Sequence, residues 1–551
     1  MSRAQPSFDS ETKLLAQAQA HQKSGRAGDA ERIYRHLISI LPYSAEPHHF
    51  LGILYAQTGR PDAAAEEFAT ATRIAPDNPA YHCNLGHALL GAKREGEAMA
   101  AYRTAVALRP DFADAQFNLA MLLREAGRLG EAVECYRRLL KSAPKLTAAH
   151  LNLGITLQAL DRSEEALAAL RQAVRLEPQA FETHYNLGLV LAAQRRFEEA
   201  ADEFRAASEI DPNEPWSALN LGHVLMELGR LDEATRHCER AVRLAPGLAD
   251  AHGKLASVLH NRGELGRALA AIRQAVSLDP ANARLHVNLA QTLQALGDLG
   301  AAEVAYRRAL TLEPFLVGAQ AHFAITLQHV GRLAEAREML DYQNLLQRRQ
   351  MDGIDGWPSV EAFNAELADY VYKHPTLMRD PPNKATKQGS QTMEILATEE
   401  RPIGALRQYF ERSVRDYLAT TVAKAGHVFA PPPSAWRLHG WGVVLRSGGH
   451  QTPHFHPDGI VSGVYYVRVP ETVSNARDGE AGFIRFGWPA DDMQRAIAGD
   501  DLLTKTVRPE EGTLILFPSY FWHNTIPFES AEDRICVAFD VLPATALQAS
   551  A

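Results

Sequence analysis

Histidines gather in two short segments of the C-terminal quarter of the chain. His450, His454 and His456 lie in GGHQTPHFHPDG, and His523 lies in LFPSYFWHNT. Residues two apart in an extended chain point to the same side, so His454 and His456 project together. With His523 as a distant third ligand, the pattern predicts a metal site of three histidines on one face, which leaves open coordination positions.

Two further side chains fit a small acid bound at such a metal. Arg534 follows His523 by 11 residues, in the strand-like RICVAF. Its guanidinium can form a bidentate pair with the distal carboxylate of 2-oxoglutarate. Tyr465, 11 residues after His454, is a candidate donor to the cosubstrate carboxylate, or else an aromatic residue of the core.

Residues 440–543 resemble a 2-oxoglutarate/Fe(II)-dependent dioxygenase, of the bacterial group in which this domain follows tetratricopeptide repeats. The segment 448–454, GGHQTPH, also resembles the approach to the first iron histidine of aspartyl β-hydroxylases. The resemblance implies Fe(II), 2-oxoglutarate as cosubstrate, O₂, and hydroxylation of an unactivated C–H bond with release of succinate.

The sequence leaves two sets of iron ligands open. Alignment on the glycine and proline of GGHQTPH gives His454, His456 and His523, with a histidine where most family members have Asp. The other set is His456, Asp458 and His523, in which His456-Pro457-Asp458 is the usual His-x-Asp pair. Asp458-Gly459 after a proline is also typical of an ordinary turn.

Short β-branched and aromatic segments surround these residues and are separated by Gly, Pro and Asp clusters. They predict a double-stranded β-helix, or jelly roll, over residues 437–543. Helical spacing at 359–374 and 402–424 predicts flanking helices, and 383–397 is polar and loop-like. We therefore expect an oxygenase domain over residues 359–545.

A period of 34 residues fills the chain before this domain. Small residues, Gly or Ala, recur at the same period, and so does proline, at positions 42, 76, 110, 144, 178, 212, 246, 280 and 314. Each unit reads as two helices joined by a tight turn, with proline ending the second. Such a hairpin cannot bury its apolar face alone, so neighbours must stack into a superhelical solenoid.

The unit resembles the tetratricopeptide repeat, with about ten copies over residues 10–345. The fold class predicted is therefore multidomain: an all-α tetratricopeptide solenoid, a linker at 346–358 and a jelly roll with flanking helices.

An asparagine recurs two residues before the small position of the first helix. An amide that donates and accepts at each step can hold the backbone of an extended polypeptide. The unit is similar to that of the protein O-GlcNAc transferase superhelix, and this resemblance implies a protein or peptide substrate in the concave surface. The alternative is that the amides bond neighbouring helices. The ladder comprises Asn84, Asn118, Asn152, Asn186, Asn220 and Asn288.

Composition and net charge indicate which binding partners and which cellular location to expect. The 551 residues carry a net charge of −9, which gives no reason to expect nucleic acid or an anionic membrane as partner. The N-terminal segment has no apolar stretch of 7–15 residues of the kind a signal peptide carries, and nowhere do 18 apolar residues run together. Scattered cysteines predict a reducing, cytoplasmic setting and buried apolar roles, at Cys83, Cys135, Cys238 and Cys536.

These patterns predict a dioxygenase that hydroxylates a polypeptide recruited by the repeats. Three alternatives stay open: a repeat scaffold whose jelly roll is structural or sensing, an oxygenase acting on a small molecule, and a cupin-like enzyme with another metal. Arg534 distinguishes the last, because that enzyme would use no 2-oxoglutarate.

Overall fold

The computed structural model of the chain describes residues 8–381, 384–422, 435–475, 479–489 and 503–543. The chain divides into two compact units, one ending at Leu244 and the other starting at Ala245. The first unit consists of helices that pair in sequence order: α1 (Phe8–Lys23), α2 (Ala27–Ile40), α3 (Ala45–Gln57), α4 (Pro61–Ile74), α5 (Pro79–Gly91), α6 (Glu95–Leu108), α7 (Ala113–Glu125), α8 (Leu129–Ser142), α9 (Thr147–Ala159), α10 (Ser163–Leu176), α11 (Phe181–Ala193), α12 (Phe197–Ile210), α13 (Pro215–Glu227) and α14 (Leu231–Leu244).

The small residue of each first helix allows a close crossing with the second helix. A Cβ added at Gly86 would lie 2.6 Å from the Tyr102 ring, and one at Gly188 would lie 2.8 Å from the Phe204 ring. Real Cβ atoms do not approach that closely, so glycine is required where the aromatic ring sits. The helical hairpins predicted from the period are confirmed.

Many histidines outside the C-terminal cluster hold the ends of these hairpins together. The Nε2 atom of His82 donates to the carbonyl oxygen of Pro76 at 2.8 Å. His150, His184, His252 and His286 do the same to the proline six residues earlier, at 2.9–3.1 Å. These histidines satisfy carbonyls that a helix end leaves without an intrahelical donor, and their role is structural.

The second unit begins with three more helical pairs and continues into a β-rich region. Its helices are α15 (Ala249–Asn261), α16 (Leu265–Leu278), α17 (Ala283–Ala295), α18 (Leu299–Leu312), α19 (Val317–His329), α20 (Leu333–Met339), α21 (Tyr342–Leu345), α22 (Val360–Lys373), α23 (Ile403–Tyr417), followed by a π-helical turn (Leu418–Val422), and α24 (Glu471–Ser474). Its strands are β1 (Gln347–Gln350), β2 (Met378–Arg379), β3 (Thr386–Gln391), β4 (Trp436–Gln451), β5 (Val461–Arg468), β6 (Ile484–Phe486), β7 (Lys505–Val507), β8 (Thr513–Pro518), β9 (His523–Thr525) and β10 (Arg534–Pro543).

The strands form the two antiparallel sheets of a jelly roll. The major sheet has the order β1-β8-β5-β10-β4-β3-β2, and the minor sheet has the order β7-β6-β9. Side chains of β5 and β10 alternate between two faces. Tyr465 and Phe539 face α22 and α23, where Phe410 stacks on Phe539 at 4.2 Å between ring centroids. Ser462 and Asp540 point to the opposite face, towards the minor sheet.

Two polar segments are strands where the sequence predicts a linker and a loop. Residues 347–350, inside the predicted linker, form β1 and pair with β8. Residues 386–391, inside the predicted loop 383–397, form β3 and pair with β4. Both strands lie towards an edge of the sheet, where a polar sequence is tolerated. The predicted helix at 359–374 is confirmed as α22, and residues 423–424 of the other lie outside the described residues.

No described helix combines the length and the apolar character that crossing a membrane requires.

Candidate metal centre and cosubstrate pocket

The segments that carry the candidate ligands pair with each other through their backbones. His454 lies in the loop after β4, and His523 is the first residue of β9. The His454 N–H donates to the His523 carbonyl at 3.0 Å, and the His523 N–H donates back at 2.8 Å. The His456 N–H donates to the carbonyl of Ser519, at 3.0 Å. These bonds bring two distant parts of the chain to one place.

The imidazoles of His454, His456 and His523 converge. One ring nitrogen from each lies within 4.8 Å of the others. The Nε2 atoms of His456 and His523 are 3.3 Å apart. Metal bonds of about 2.1 Å at right angles would place ligand atoms about 3.0 Å apart, close to that spacing.

Hydrogen bonds to the other ring nitrogens set which atoms face the centre. The Nδ1 of His454 donates to the Thr452 carbonyl at 2.7 Å, and the Nδ1 of His523 donates to the Phe521 carbonyl at 3.0 Å. A neutral imidazole that donates from Nδ1 carries its lone pair on Nε2. Both rings therefore present lone pairs towards the site.

Asp540 supports the ring of His456, a role that was not predicted from the sequence. Its Oδ2 accepts from His456 Nδ1 at 2.9 Å, and its Oδ1 accepts from the Ser462 hydroxyl at 2.7 Å. The Asp540 side chain is 11% exposed. A signal was present in the sequence, since Asp540 follows Arg534 by six residues in one strand, and residues at even spacing share a face. Asp540 supplies a negative charge one hydrogen bond away from the candidate ligands.

Burial lowers the pKa of two of the candidate ligands. Together with the neighbouring His456, it lowers the pKa of the His454 imidazole to about 3. Burial likewise holds the pKa of His523 well below its ordinary value, with His454 and His456 adding to the effect. Metal ligation requires neutral imidazole, so His454 and His523 are in the form that binds.

Asp458, the carboxylate of the second predicted ligand set, lies apart from this cluster. Its side chain is exposed, and the Gly459 N–H donates to the His456 carbonyl at 3.3 Å in a turn. The structure thus brings together His454, His456 and His523 and places Asp458 on the surface.

The candidate cosubstrate pocket comprises Arg534 and Tyr466, two buried side chains with unmet hydrogen-bonding capacity. The Arg534 side chain is 2% exposed, and its Nη1 donates to the Gly482 carbonyl at 2.8 Å. Its guanidinium carbon lies 5.0 Å from the centre of the Tyr466 ring. Among the described residues, neither Arg534 Nε nor the buried Tyr466 hydroxyl has a partner. Burial raises the pKa of Tyr466 to about 12, so its hydroxyl remains a donor.

Tyr465 does not fill the role predicted for it. Its hydroxyl donates to Asn364 Oδ1 at 2.8 Å, and its ring contacts Phe363 and Phe410. It faces the helices because successive residues of a strand point to opposite faces. The hydroxyl beside Arg534 belongs to the next residue, Tyr466.

The last repeat packs against the loops that carry the candidate ligands. The His322 ring, on α19, lies 5.7 Å from Phe455 and 5.5 Å from Trp522, measured between ring centroids. Trp522 Nε1 donates to the carbonyl of Ala321 at 3.2 Å. Phe455 lies between two of the histidines in sequence and Trp522 precedes the third, so α19 supports both loops. His322 occupies the asparagine position of its repeat.

The ladder asparagines are all partly exposed on first helices. The Nδ2 atoms of Asn118, Asn152 and Asn186 donate to the carbonyl four residues earlier, at 2.7–2.8 Å. Asn84 contacts His49 at 2.7 Å, and Asn220 donates to the Tyr185 hydroxyl at 3.1 Å. Part of their capacity is therefore used within the repeats.

The residues present fit a metal ion with a small anionic cosubstrate. The Nε2 atoms of His456 and His523 are 3.3 Å apart and both Nδ1 atoms donate elsewhere, so two neutral rings would turn their Nε2 lone pairs towards each other. Two acceptors at that distance repel unless a cation is bound between them. The unpartnered Nε of Arg534 and hydroxyl of Tyr466 match the oxygens of a carboxylate.

Family models match most of the chain. The model described as "Putative 2OG-Fe(II) oxygenase" matches residues 439–540. Tetratricopeptide repeat models match residues 21–85, 83–146, 151–215, 191–258, 249–282 and 283–315. No curated protein matches the chain.

Solved repeat proteins resemble parts of the chain. YrrB, described as a TPR protein with an unusual peptide-binding site, is 24% identical to this chain. The match covers 34% of this chain and 96% of YrrB, with a TM-score of 0.30. MamA is 21% identical, covering 31% and 94%, with a TM-score of 0.30. A tetratricopeptide repeat protein from Parabacteroides merdae is 17% identical, covering 45% and 98%, with a TM-score of 0.35.

Proposed function

Because the chain joins tetratricopeptide repeats in residues 21–315 to a 2OG-Fe(II) oxygenase domain in residues 439–540, we propose that it is a 2-oxoglutarate-dependent dioxygenase that hydroxylates a polypeptide. The substrate is a protein or peptide that the repeats recruit. The observation that carries this proposal is the convergence of three imidazoles in a domain that also buries a guanidinium with an unpartnered Nε.

In this proposal His454, His456 and His523 hold Fe(II), and Arg534 binds the distal carboxylate of 2-oxoglutarate. When bound, Fe(II) would activate O₂ so that one oxygen atom enters 2-oxoglutarate, which leaves as succinate and CO₂, and the other enters a substrate C–H bond. Tyr466 donates a second hydrogen bond to the cosubstrate. Asp540 keeps the His456 proton on Nδ1, which leaves the Nε2 lone pair free for the metal.

The contact between α19 and the ligand loops favours a polypeptide over a small molecule as substrate. His322, in the position that carries asparagine in most repeats, reaches Phe455 and Trp522 beside the candidate ligands. A chain held along the first helices of the last repeats would therefore run towards the metal loops. The partly exposed amides of the ladder would bind its backbone.

The first experiment tests the metal and the cosubstrate together. Anaerobic protein with Fe(II) and 2-oxoglutarate should develop the visible charge-transfer band of a chelated 2-oxo acid, and His523→Ala should lose it. His150→Ala is a matched control, because His150 only donates to the carbonyl of Pro144. A wild-type protein without the band would be a scaffold or an enzyme of another metal, and the proposal would fall.

The second experiment tests the ligand set. His454→Ala should lose iron, and Asp458→Ala should keep it. The opposite result would establish His456, Asp458 and His523 as the ligands. Iron content after purification under argon measures both.

The third experiment tests the ladder. Replacing Asn152, Asn186 and Asn220 together by alanine should weaken capture of polypeptide substrates while sparing the slow decay of 2-oxoglutarate without substrate. Asn213→Ala, in a turn between repeats, serves as control. Equal capture by both variants would make the ladder structural and leave a small molecule as the substrate.

A further inference from the structure

A cluster of metal-ligating side chains also lies in the repeats, in the unit that ends at Leu244. Cys83 and His87 are one helical turn apart on α5, and Asp114 is the second residue of α7. Their ligand atoms all lie within 4.8 Å of one another. The Cys83 Sγ and the His87 Nε2 are each 3.6 Å from Asp114 Oδ2.

These distances match those of a tetrahedral metal site. Zinc binds sulfur, nitrogen and oxygen ligands at about 2.0–2.3 Å, which places ligand atoms about 3.3–3.8 Å apart in a tetrahedron. The two separations of 3.6 Å lie in that interval, so binding would need little movement. A soft thiolate with an imidazole and a carboxylate is a donor set that suits zinc.

The amide of Asn118 borders two members of the cluster, Asp114 and His87. Asn118 Nδ2 donates to both the carbonyl and the carboxylate of Asp114, at 2.8 and 3.0 Å, which fixes the orientation of the amide. The same Nδ2 atom lies 3.3 Å from His87 Nε2, but Asp114 already engages both of its hydrogens. In the neutral ring that carries its proton on Nδ1, the Nε2 lone pair of His87 and the Asp114 carboxylate are two acceptors 3.6 Å apart, an arrangement that a cation stabilises.

A buried hydroxyl next to the cluster also lacks a partner. Tyr102 is fully buried, and its ring lies 5.4 Å from that of His87. Cys83 and Asp114 are close enough to act on the pKa of this hydroxyl, which has no hydrogen-bond partner among the described residues. A water or hydroxide on a bound metal would provide one.

The three residue types meet at one place in the repeat array. At the position of Cys83 the other repeats carry His, Phe, Leu, Tyr, Gly, Val or Ala, and at the position of His87 most carry an aliphatic or small residue. The repeat framework does not require a cysteine, a histidine and an aspartate there. The cluster is therefore a local feature and not part of the repeat pattern.

From this geometry we infer that Cys83, His87 and Asp114 form a zinc site, separate from the iron centre, with a fourth coordination position open to solvent. The side chains of His87 and Asp114 are 40% and 56% exposed, so an ion can enter and an outside ligand can complete the site. Burial, with Asp114 adding to it, raises the pKa of the Cys83 thiol to about 12, so without a cation the group is a thiol and not a nucleophilic thiolate.

Cobalt(II) tests the site, because only a thiolate ligand gives the near-ultraviolet sulfur-to-cobalt charge-transfer band. The full-length metal-free protein should develop this band with one equivalent of Co(II) bound at Cys83, and zinc should abolish it. His523→Ala should keep it, since the iron ligands contain no sulfur. Cys83→Ser should lose the band, and Cys135→Ser, an equally buried cysteine one repeat later, should retain it.

Two surface variants keep the test decisive if Cys83→Ser does not fold. Asp114→Asn and His87→Ala should need about ten-fold more Co(II) for the same absorbance, because ligand charge and number set affinity. A wild-type protein without the thiolate band, a band that survives Cys83→Ser, or unchanged affinity in both surface variants would overturn the inference.

Discussion

Replacing Asp540 by Asn should weaken metal binding and keep the shape of the site. The carboxylate accepts from His456 Nδ1 at 2.9 Å and from Ser462 at 2.7 Å. A hydrogen bond to a charged group contributes about 1.5–3 kcal/mol, against about 0.5–1.5 kcal/mol for a neutral one. The neutral amide should thus lose about 1–1.5 kcal/mol, which corresponds to about 5–13-fold in the metal dissociation constant.

The amide also has a second effect, on the His456 tautomer. If its NH₂ group faces His456 Nδ1, the ring must carry its proton on Nε2, and the lone pair that would bind the metal is lost. Wrong tautomers of this kind impair imidazole function severely. The total loss should then approach about 100-fold, the upper range for the partner of a metal-bound histidine.

Competition with a chromophoric chelator under argon measures the Fe(II) affinity of the metal-free protein. Asp458→Asn is the matched control, because it removes an exposed carboxylate from the loop that carries His456 and should change the affinity by less than about two-fold. Circular dichroism checks that both variants are folded. Wild-type affinity in Asp540→Asn would refute the argument, and lost affinity in Asp458→Asn would refute the ligand set.

Three further predictions concern the pocket and the repeats. Tyr466→Phe should weaken 2-oxoglutarate binding by about 1 kcal/mol, while Tyr465→Phe should leave it unchanged. Titration of the charge-transfer band measures both affinities. A loss of affinity in Tyr465→Phe and none in Tyr466→Phe would restore Tyr465 to the pocket. Gly86→Ala should lower the thermal midpoint, because its Cβ would lie 2.6 Å from an aromatic ring and cost about 1–3 kcal/mol. Gly96→Ala is the control, since open space surrounds Gly96 and the substitution should raise the midpoint. Equal shifts in the two variants would contradict the close crossing of the helices. Lys93→Gly should raise the free energy of unfolding by about 0.5–1 kcal/mol, because Lys93 holds a φ of 60° that glycine adopts without strain. Denaturant melts measure this free energy. A decrease would show that the lysine makes a compensating contact.

The repeats could be predicted from the sequence because one physical pattern recurs many times. A glycine or alanine that admits a bulky side chain and a proline that ends a helix act within a single hairpin. Short-range patterns of this kind need no knowledge of the tertiary structure. The polar strands β1 and β3 depend on pairing with β8 and β4, which local composition does not encode.

The candidate site could be predicted from the sequence where the residue type alone determines the chemistry. It could not be predicted where the role of a residue depends on the direction in which its side chain points. Imidazole spacing identified His454, His456 and His523. The choice between Tyr465 and Tyr466 depended on which face of β5 looks towards the minor sheet, and a shift of one residue reverses the answer. Asp540 acts through a histidine 84 positions earlier, a distance along the chain that no local pattern spans.

The packing of α19 has a consequence for which parts of the chain can be exchanged. A fragment that starts after residue 358 would expose Trp522 and leave its Nε1 and the Tyr520 hydroxyl without their acceptors, the carbonyls of Ala321 and Met339. An autonomous catalytic fragment must therefore start before Val317. Loss of α19 would remove a support of the ligand loops, so the final hairpin and the β-rich region should fold as one unit.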